Sequence, residues 1–179
     1  MALKILGANG IGNEAYVTGN RLHVDAKMTP RVGIQSRDNG STFSWASGTY
    51  DADANDTILL VKNTSTTQNL YVTTICLSTD VETRVVIHLP TTDVTVAGTT
   101  ITGTNLNTVS ANVASASAAR DETGNSQGNI IWSGEIQAAT NPFSVEFFAS
   151  IVLGQNKSIA VDYVADVAAC DVNILGFYE

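Results

Sequence analysis

The sequence predicts an all-β fold, an antiparallel β-sandwich. Three observations predict it. Charged residues are only 15% of the 179, against about 25% in ordinary domains. Thr, Ser, Asn, Val and Ile stand where helix formers such as Glu, Lys, Arg and Gln would be expected, and β-branched side chains suit a pleated surface. Apolar residues also alternate with polar ones in short runs divided by turn residues, the pattern of a sandwich. The length suits one domain.

The elements follow in order. Residues 1–19 carry Gly7, Gly10, Gly12 and Gly19 among scattered apolar positions. That predicts an extended N-terminal arm over 1–20, leaving a single domain over 21–179. Thr57 to Val61 (TILLV) is a continuous apolar run, followed by a polar loop from Asn63 to Asn69 and a second run from Leu70 to Leu77. Arg84 to Leu89 places Val85, Ile87 and Leu89 on one face, and Pro90 ends it by lacking an N–H. Asp93–Ala97 and Thr99–Thr102 flank a turn at Gly98. Ile130, Trp132 and Ile136 alternate inward against Ser133, Glu135 and Gln137. Phe143, Val145 and Phe147 alternate against Ser144 and Glu146. Ile159, Val161 and Tyr163 share a face, and Asp171 to Ile174 alternates strictly. The expected core is Ile58, Leu60, Val72, Val85, Ile87, Trp132, Ile136, Phe147, Ile159, Val161, Val172 and Ile174.

One stretch resists strand patterning. Asn105 to Asn129 is polar and alanine-rich, and predicts a long loop. Leu106, Val109 and Val113 sit at helical spacing, but the Ser and Asn content opposes a stable helix. A loop contacting a neighbouring subunit and a plain surface excursion both fit.

Chemistry is sparse. The net charge is −8, which opposes phosphate-gripping nucleic-acid binding and polybasic membrane attachment. No run of 18 apolar residues marks a membrane helix. The apolar stretch from Ala2 to Leu6 is broken by Lys4 and too short for a secretory core. The Asn-x-Ser/Thr triplets at Asn55, Asn63 and Asn156 read as polar loops. Cys76 and Cys170 lack metal-ligand spacing and are expected as reduced, buried thiols. His23 and His88 fall in no catalytic motif, and His88 is expected on a strand surface or rim. No nucleophile elbow or phosphate-binding glycine loop is present. Asp51-Ala52-Asp53-Ala54-Asn55-Asp56 starts like a calcium loop. Asp56 and Lys62 then occupy the positions that require Gly and Glu, so the EF-hand is excluded. A shallow Ca²⁺ site there remains an alternative to an acidic turn. No catalytic, cofactor or metal residue is assigned. Trp45 and Trp132 sit inside alternating patterns, which places them in packing.

The run from Gly48 to Ile75 (GTYDADANDTILLVKNTSTTQNLYVTTI) resembles the first core strands of jelly-roll proteins on tailed-bacteriophage virions. Ile101 to Asn129 is similar to the long "NLN" loop of such chains. Ile151 to Asp166 is similar to their penultimate strand, and NILGFYE to their closing strand. The patches cover about two thirds of the chain, and their motifs are structural. The resemblance implies an antiparallel jelly roll. It also implies a capsid decoration, or cement, protein, a homotrimer on the exterior of the virion, made in the host cytoplasm and bound to the major capsid protein. No enzyme activity is expected. The glycine-rich arm is the expected contact, with Leu3, Lys4, Ile5, Leu6 and Ile11 as capsid-binding residues. Two other classes compete. A receptor- or carbohydrate-binding module of a head fibre or tail would show exposed aromatics at one loop end. A cupin-like enzyme would need clustered metal-binding histidines.

Overall fold

The computed structural model describes residues 3–6, 12–18, 21–23, 31–54, 56–122, 128–138 and 142–179. The chain divides into two units, Met1–Pro30 and Arg31–Glu179.

The first unit holds an antiparallel sheet of β1 (Leu3–Leu6), β2 (Gly12–Thr18) and β3 (Arg21–His23), in that order. Lys4 pairs with Glu14, Ile5 with Asn13 and Leu6 with Gly12. Tyr16 pairs with His23. The stretch expected as an arm, 1–20, contains the first two strands, and the same sheet runs on to His23.

The second unit opens with α1 (Arg31–Arg37), then β4 (Thr42–Ala46), β5 (Tyr50–Ala52), β6 (Thr57–Asn63), β7 (Leu70–Thr79) and β8 (Thr83–Leu89). It continues with β9 (Thr99–Ile101), β10 (Thr104–Asn105), β11 (Ala116–Arg120), β12 (Asn129–Ile136), β13 (Phe143–Leu153), β14 (Ser158–Tyr163) and β15 (Val167–Tyr178). One sheet runs β10-β4-β15-β7-β13, with β5 also paired to β15. The other runs β12-β8-β14-β6-β11-β9. The pairings are antiparallel in both. Strand alternation turns one face of each sheet toward the other. Between them lies a continuous core that includes Phe43, Trp45, Ile58, Val72, Val85, Ile87, Val161 and Ile174. The Tyr163 hydroxyl donates across the sheets to the Ser78 carbonyl at 3.0 Å. This is an all-β architecture of two antiparallel sheets, as the patterning predicts.

Most of the expected core is buried: Ile58, Leu60, Val72, Val85, Ile87, Ile136, Ile159, Val161, Val172 and Ile174. Trp132 and Phe147 are half-buried at its edge. Leu60 is a correction in place. It belongs to a second, smaller cluster with Val94 and Ala160, on the outer face of its sheet. A covering strap, residues 90–98, supplies Val94 and Val96 to that cluster. Asp93–Ala97, expected as a strand, is irregular here. Tertiary anchoring holds it instead: the Lys62 ammonium donates to the Val94 carbonyl at 2.9 Å and pairs with Asp93. The Ala97 N–H donates to Glu122 Oε1 at 2.6 Å.

Two bulges overturn the expected registers. In β12 the pairing shifts between Ile130 and Trp132, so Ile131 is extra and Ile130 turns outward. In β13 the pairing jumps from Glu146↔Thr74 to Ile151↔Val72. Residues 147–150 therefore face Thr73 alone. Phe148 and Ala149 take left-handed backbone conformations, φ 50° and 61°, and Phe148 is 86% exposed. Phe143, expected inward, is exposed at the sheet edge, its ring 5.8 Å from Trp132.

The long loop expected over 105–129 is also corrected. β11 interrupts it, pairing with β6 on one side and β9 on the other. Leu106, Val109 and Val113 are exposed on irregular backbone with no helix between them. Residues 123–127 lie outside the described part.

Candidate functional site

A cleft of about 660 Å³ opens where α1, the start of β4, the end of β15 and the loop before β11 meet. Its construction starts at Gly40. There the backbone is left-handed, φ 58°, a conformation that favours glycine at the close of a helix. The Ser41 N–H returns to the Gln35 carbonyl at 2.9 Å, and the chain enters β4. A Cβ on Gly40 would meet Ser110 Oγ at 2.3 Å, so the following loop can lie this close only over glycine.

Asparagine amides hold that loop down. Asn112 Nδ2 donates to the Asn39 carbonyl at 2.9 Å. Asn105 Nδ2 donates to the Gly40 carbonyl at 2.9 Å, and Asn107 Nδ2 to the Ser36 carbonyl at 2.9 Å. The opposite rim is the end of β15 with Glu179 beyond it. Glu179 and Asn69 exchange both backbone hydrogen bonds, and Tyr178 N–H donates to the Ser41 carbonyl at 2.9 Å. The Gln68 N–H is fixed by Ser65 Oγ at 3.0 Å.

The lining is neutral and polar: Gln35, Asn39, Ser41, Gln68, Asn112 and Ser115, with Ala111 and Val113 on the loop side. Phe43 and Tyr178 underlie it, edge to face with centroids 5.7 Å apart. Glu179 is the charged lining residue, and its carboxylate pairs with Arg31. Gln35 is 6% exposed. Its Oε1 accepts from Asn39 Nδ2 at 2.6 Å and from Ser41 Oγ at 2.9 Å. Its amide nitrogen has no partner among the described residues.

A second group of interest lies on the outer face that carries Leu60 and Ala160. His88 pairs with Ala160 across β8 and β14, and Asp162 follows two residues later. His88, expected at a surface or rim, is 1% exposed, and Asp162 2%. The correction has a physical cause: β14 is buried on both faces, so its neighbour's outward side chain is enclosed too. His88 Nε2 and Asp162 Oδ2 stand 3.4 Å apart. Burial lowers the His88 pKa. Burial pushes the Asp162 carboxyl up to about 7, opposed by a hydrogen bond from Thr57 and assisted by the Asp56 charge. Both shifts favour the uncharged forms. A neutral enclosed pair suits packing, and no cleft lining residue belongs to it.

The expected capsid-binding residues fall in the first unit. Leu3, Lys4, Ile5 and Leu6 make up β1. Ile11 lies outside the described residues. The Asp51–Asp56 stretch forms the end of β5 and a turn in which the Asp56 N–H donates to the Asp53 carbonyl at 3.2 Å. Asn55 lies outside the described residues. Among those described, no group of three His, Cys, Asp or Glu side chains could hold a metal ion. Cys76 and Cys170 are both free thiols, half-buried and buried. Burial pushes the Cys170 thiol up to about 12, which suppresses its thiolate. No helix of the described residues is long and apolar enough to cross a membrane.

The cleft residues were not legible as a site, because they come from four separated stretches with no spacing in common. Their only sequence signal was the density of Asn and Gln near polar turns. Compared with family models, curated proteins and solved structures, the chain gives no match.

Proposed function

We propose that the chain is a structural virion protein, a jelly-roll capsid decoration protein that binds the major capsid protein on the particle exterior as a homotrimer. The strand order carries this reading. β4-β15-β7-β13 in one sheet faces β12-β8-β14-β6 in the other. The first and last of these eight strands are neighbours, and the chain crosses between sheets at β6–β7, β7–β8, β12–β13, β13–β14 and β14–β15. That order and those crossings are the ones expected of the two Greek keys of a jelly roll, which supports the reading. The segment from Gly48 to Ile75, which resembles virion jelly rolls, supplies β5, β6 and most of β7.

The separate N-terminal unit supports a division of labour, with β1–β3 as the docking element and the sandwich as the body. Fold alone does not assign function, so the particle must. The test is cryo-electron microscopy of virions from the phage that carries this chain, beside particles carrying a copy lacking residues 2–12. Trimeric density on the outer head lattice is expected with the full chain. The shortened protein is expected to stay folded and leave the lattice bare. Absence of the protein from heads, or undiminished occupancy after the deletion, overturns the reading.

A further inference from the structure

We infer that the cleft between α1, β4, the end of β15 and the 105–115 loop binds a neutral oligosaccharide. The chemistry of the walls selects the class. A carboxamide offers both donors and an acceptor, and a hydroxyl offers both roles at one atom. Sugar hydroxyls need that mixture at close spacing. The Gln68 amide provides it whole, and Gln35, Asn39 and Asn112, each partly engaged with the protein, add the rest around a single opening. The buried Gln35 points the argument furthest. Its oxygen is saturated by Asn39 and Ser41, while its nitrogen keeps a donor without a partner among the described residues. That nitrogen reaches the solvent of the cleft, where a ligand hydroxyl can accept from it in place of water, and the Tyr178 hydroxyl, also in the lining, is buried without a partner among the described residues.

Charge narrows the class. The lining contains no cation, and its one carboxylate, Glu179, is paired with Arg31. A phosphate, sulfate or carboxylate ligand would meet no counter-charge and a protein of net charge −8. Val113 and Ala111 present apolar surface beside the amides, which suits the C–H face of a pyranose ring. The volume of about 660 Å³ falls within the range of small-molecule sites, roughly 300–1,000 Å³. It accommodates a short oligomer.

The site is also pre-built. The Asn112 and Asn105 amides pin one wall, the Glu179–Asn69 backbone pair the other, and Ser41 joins α1 to β15 through its contact with the Tyr178 carbonyl at 3.2 Å. Walls fixed before binding leave less ordering entropy to overcome. The inference stands whether or not the chain sits on a capsid, since it uses no residue of the first unit.

The test is an NMR titration of the full chain with maltotriose, cellotriose, chitotriose and β-1,4-galactotriose, with 3′-sialyllactose as the acidic comparison. At least one neutral trimer is expected to shift the side-chain amide signals of Gln35, Gln68 and Asn112 saturably, with a Kd on the order of 1 mM. Gln68→Ala removes a rim amide whose side chain holds nothing else, and is expected to weaken binding about tenfold. Ala111→Arg fills the opening and is expected to abolish the shifts while the backbone spectrum stays native. No saturable shift with any neutral trimer overturns the inference. So does binding that survives Ala111→Arg, or tighter binding of the sialylated comparison.

Discussion

Two coil segments cover the sandwich, and they are fastened by different chemistry. The strap over 90–98 lies on the outer face of the β12-β8-β14-β6 sheet and is tied by charge: Lys62 to Asp93 and to the Val94 carbonyl, Glu122 to the Ala97 N–H. The same face buries His88 and Asp162. The loop over 105–115 is tied by neutral asparagine amides to the backbone of residues 36–40. One cover therefore shares a sheet face with buried ionisable groups, and the other is fastened by neutral amides. The difference teaches that irregular chain can be ordered in two ways, with opposite sensitivity to solution conditions. Hydrogen bonds from uncharged amides persist across pH, whereas enclosed ionisable groups make stability a function of it.

The largest expected effect tests the titrating side. Asp162 is raised from 3.8 to about 7 on folding, so the folded state holds its proton more tightly. Its stability cost is absent below about pH 4 and grows as pH rises toward 7. The shift corresponds to an upper bound of roughly 4 kcal/mol. His88 is lowered from 6.5, so its cost is absent at high pH and grows as pH falls below 6.5. The two tilts oppose each other in the wild type. Asp162→Asn keeps a neutral isostere and leaves only the His88 tilt, so the variant is expected to lose stability steadily with acid. His88→Gln leaves the Asp162 tilt, and is expected to gain stability as pH falls from 7 toward 4. Urea denaturation at a series of pH values measures both. Parallel profiles for the two variants would show that the pair does not control the slope.

A smaller effect is expected on the neutral side. Gly40→Ala combines a left-handed φ with a Cβ placed 2.3 Å from Ser110 Oγ. The strain and the forced retreat of the loop are expected to cost about 2–3 kcal/mol in thermal or denaturant unfolding. The loss should be the same at pH 5 and pH 8. A loss that changes with pH would erase the distinction between the two covers.

The smallest effect is expected from Asn112→Ala, which removes the donors to the Asn39 and Gly40 carbonyls. The expected cost is about 1 kcal/mol, since the freed carbonyls near this exposed loop can turn to water. Hydrogen exchange should quicken at Ser110, whose N–H donates to the Asn107 carbonyl, and remain unchanged in the strap. Faster exchange in both segments would mean that they open as one.

The particular residues that were legible in the sequence explain why others were not. Val85, Ile87, Val161 and Ile159 alternate without interruption, and their burial follows from the two-residue period alone. Ile130 and Phe143 carry the same pattern but sit beside a bulge and at a sheet edge, and neither circumstance leaves a mark in hydropathy. β11 reads ASAAR, with no β-branched residue. Its place between β6 and β9 is set by partners distant in sequence. The run TILLV is buried on both faces of β6, which its unbroken apolar character alone did not assign, and the strap that covers one face lies about thirty residues away. His88 was misplaced for the same reason. The helix Arg31–Arg37 has no long periodicity to announce it, and Gly40, which closes it, is a weak signal by itself. The cleft was least legible of all, because it is a product of loop closure and not of any local pattern.

The interrupted pairing of β13 bears on behaviour at high concentration. β13 borders its sheet, and there an unbroken strand would offer a row of amide and carbonyl groups to any passing chain. Residues 147–150 split it into two short stretches, and Phe148 projects from the break. The other borders are equally poor templates: β12 has an extra residue at Ile131, β9 spans three residues and β10 two. Among the described residues, the two sheets of the second unit therefore present no long unbroken border strand for strand addition. Where copies of this chain associate through the second unit, side chains therefore make the join at these borders in place of a continued sheet.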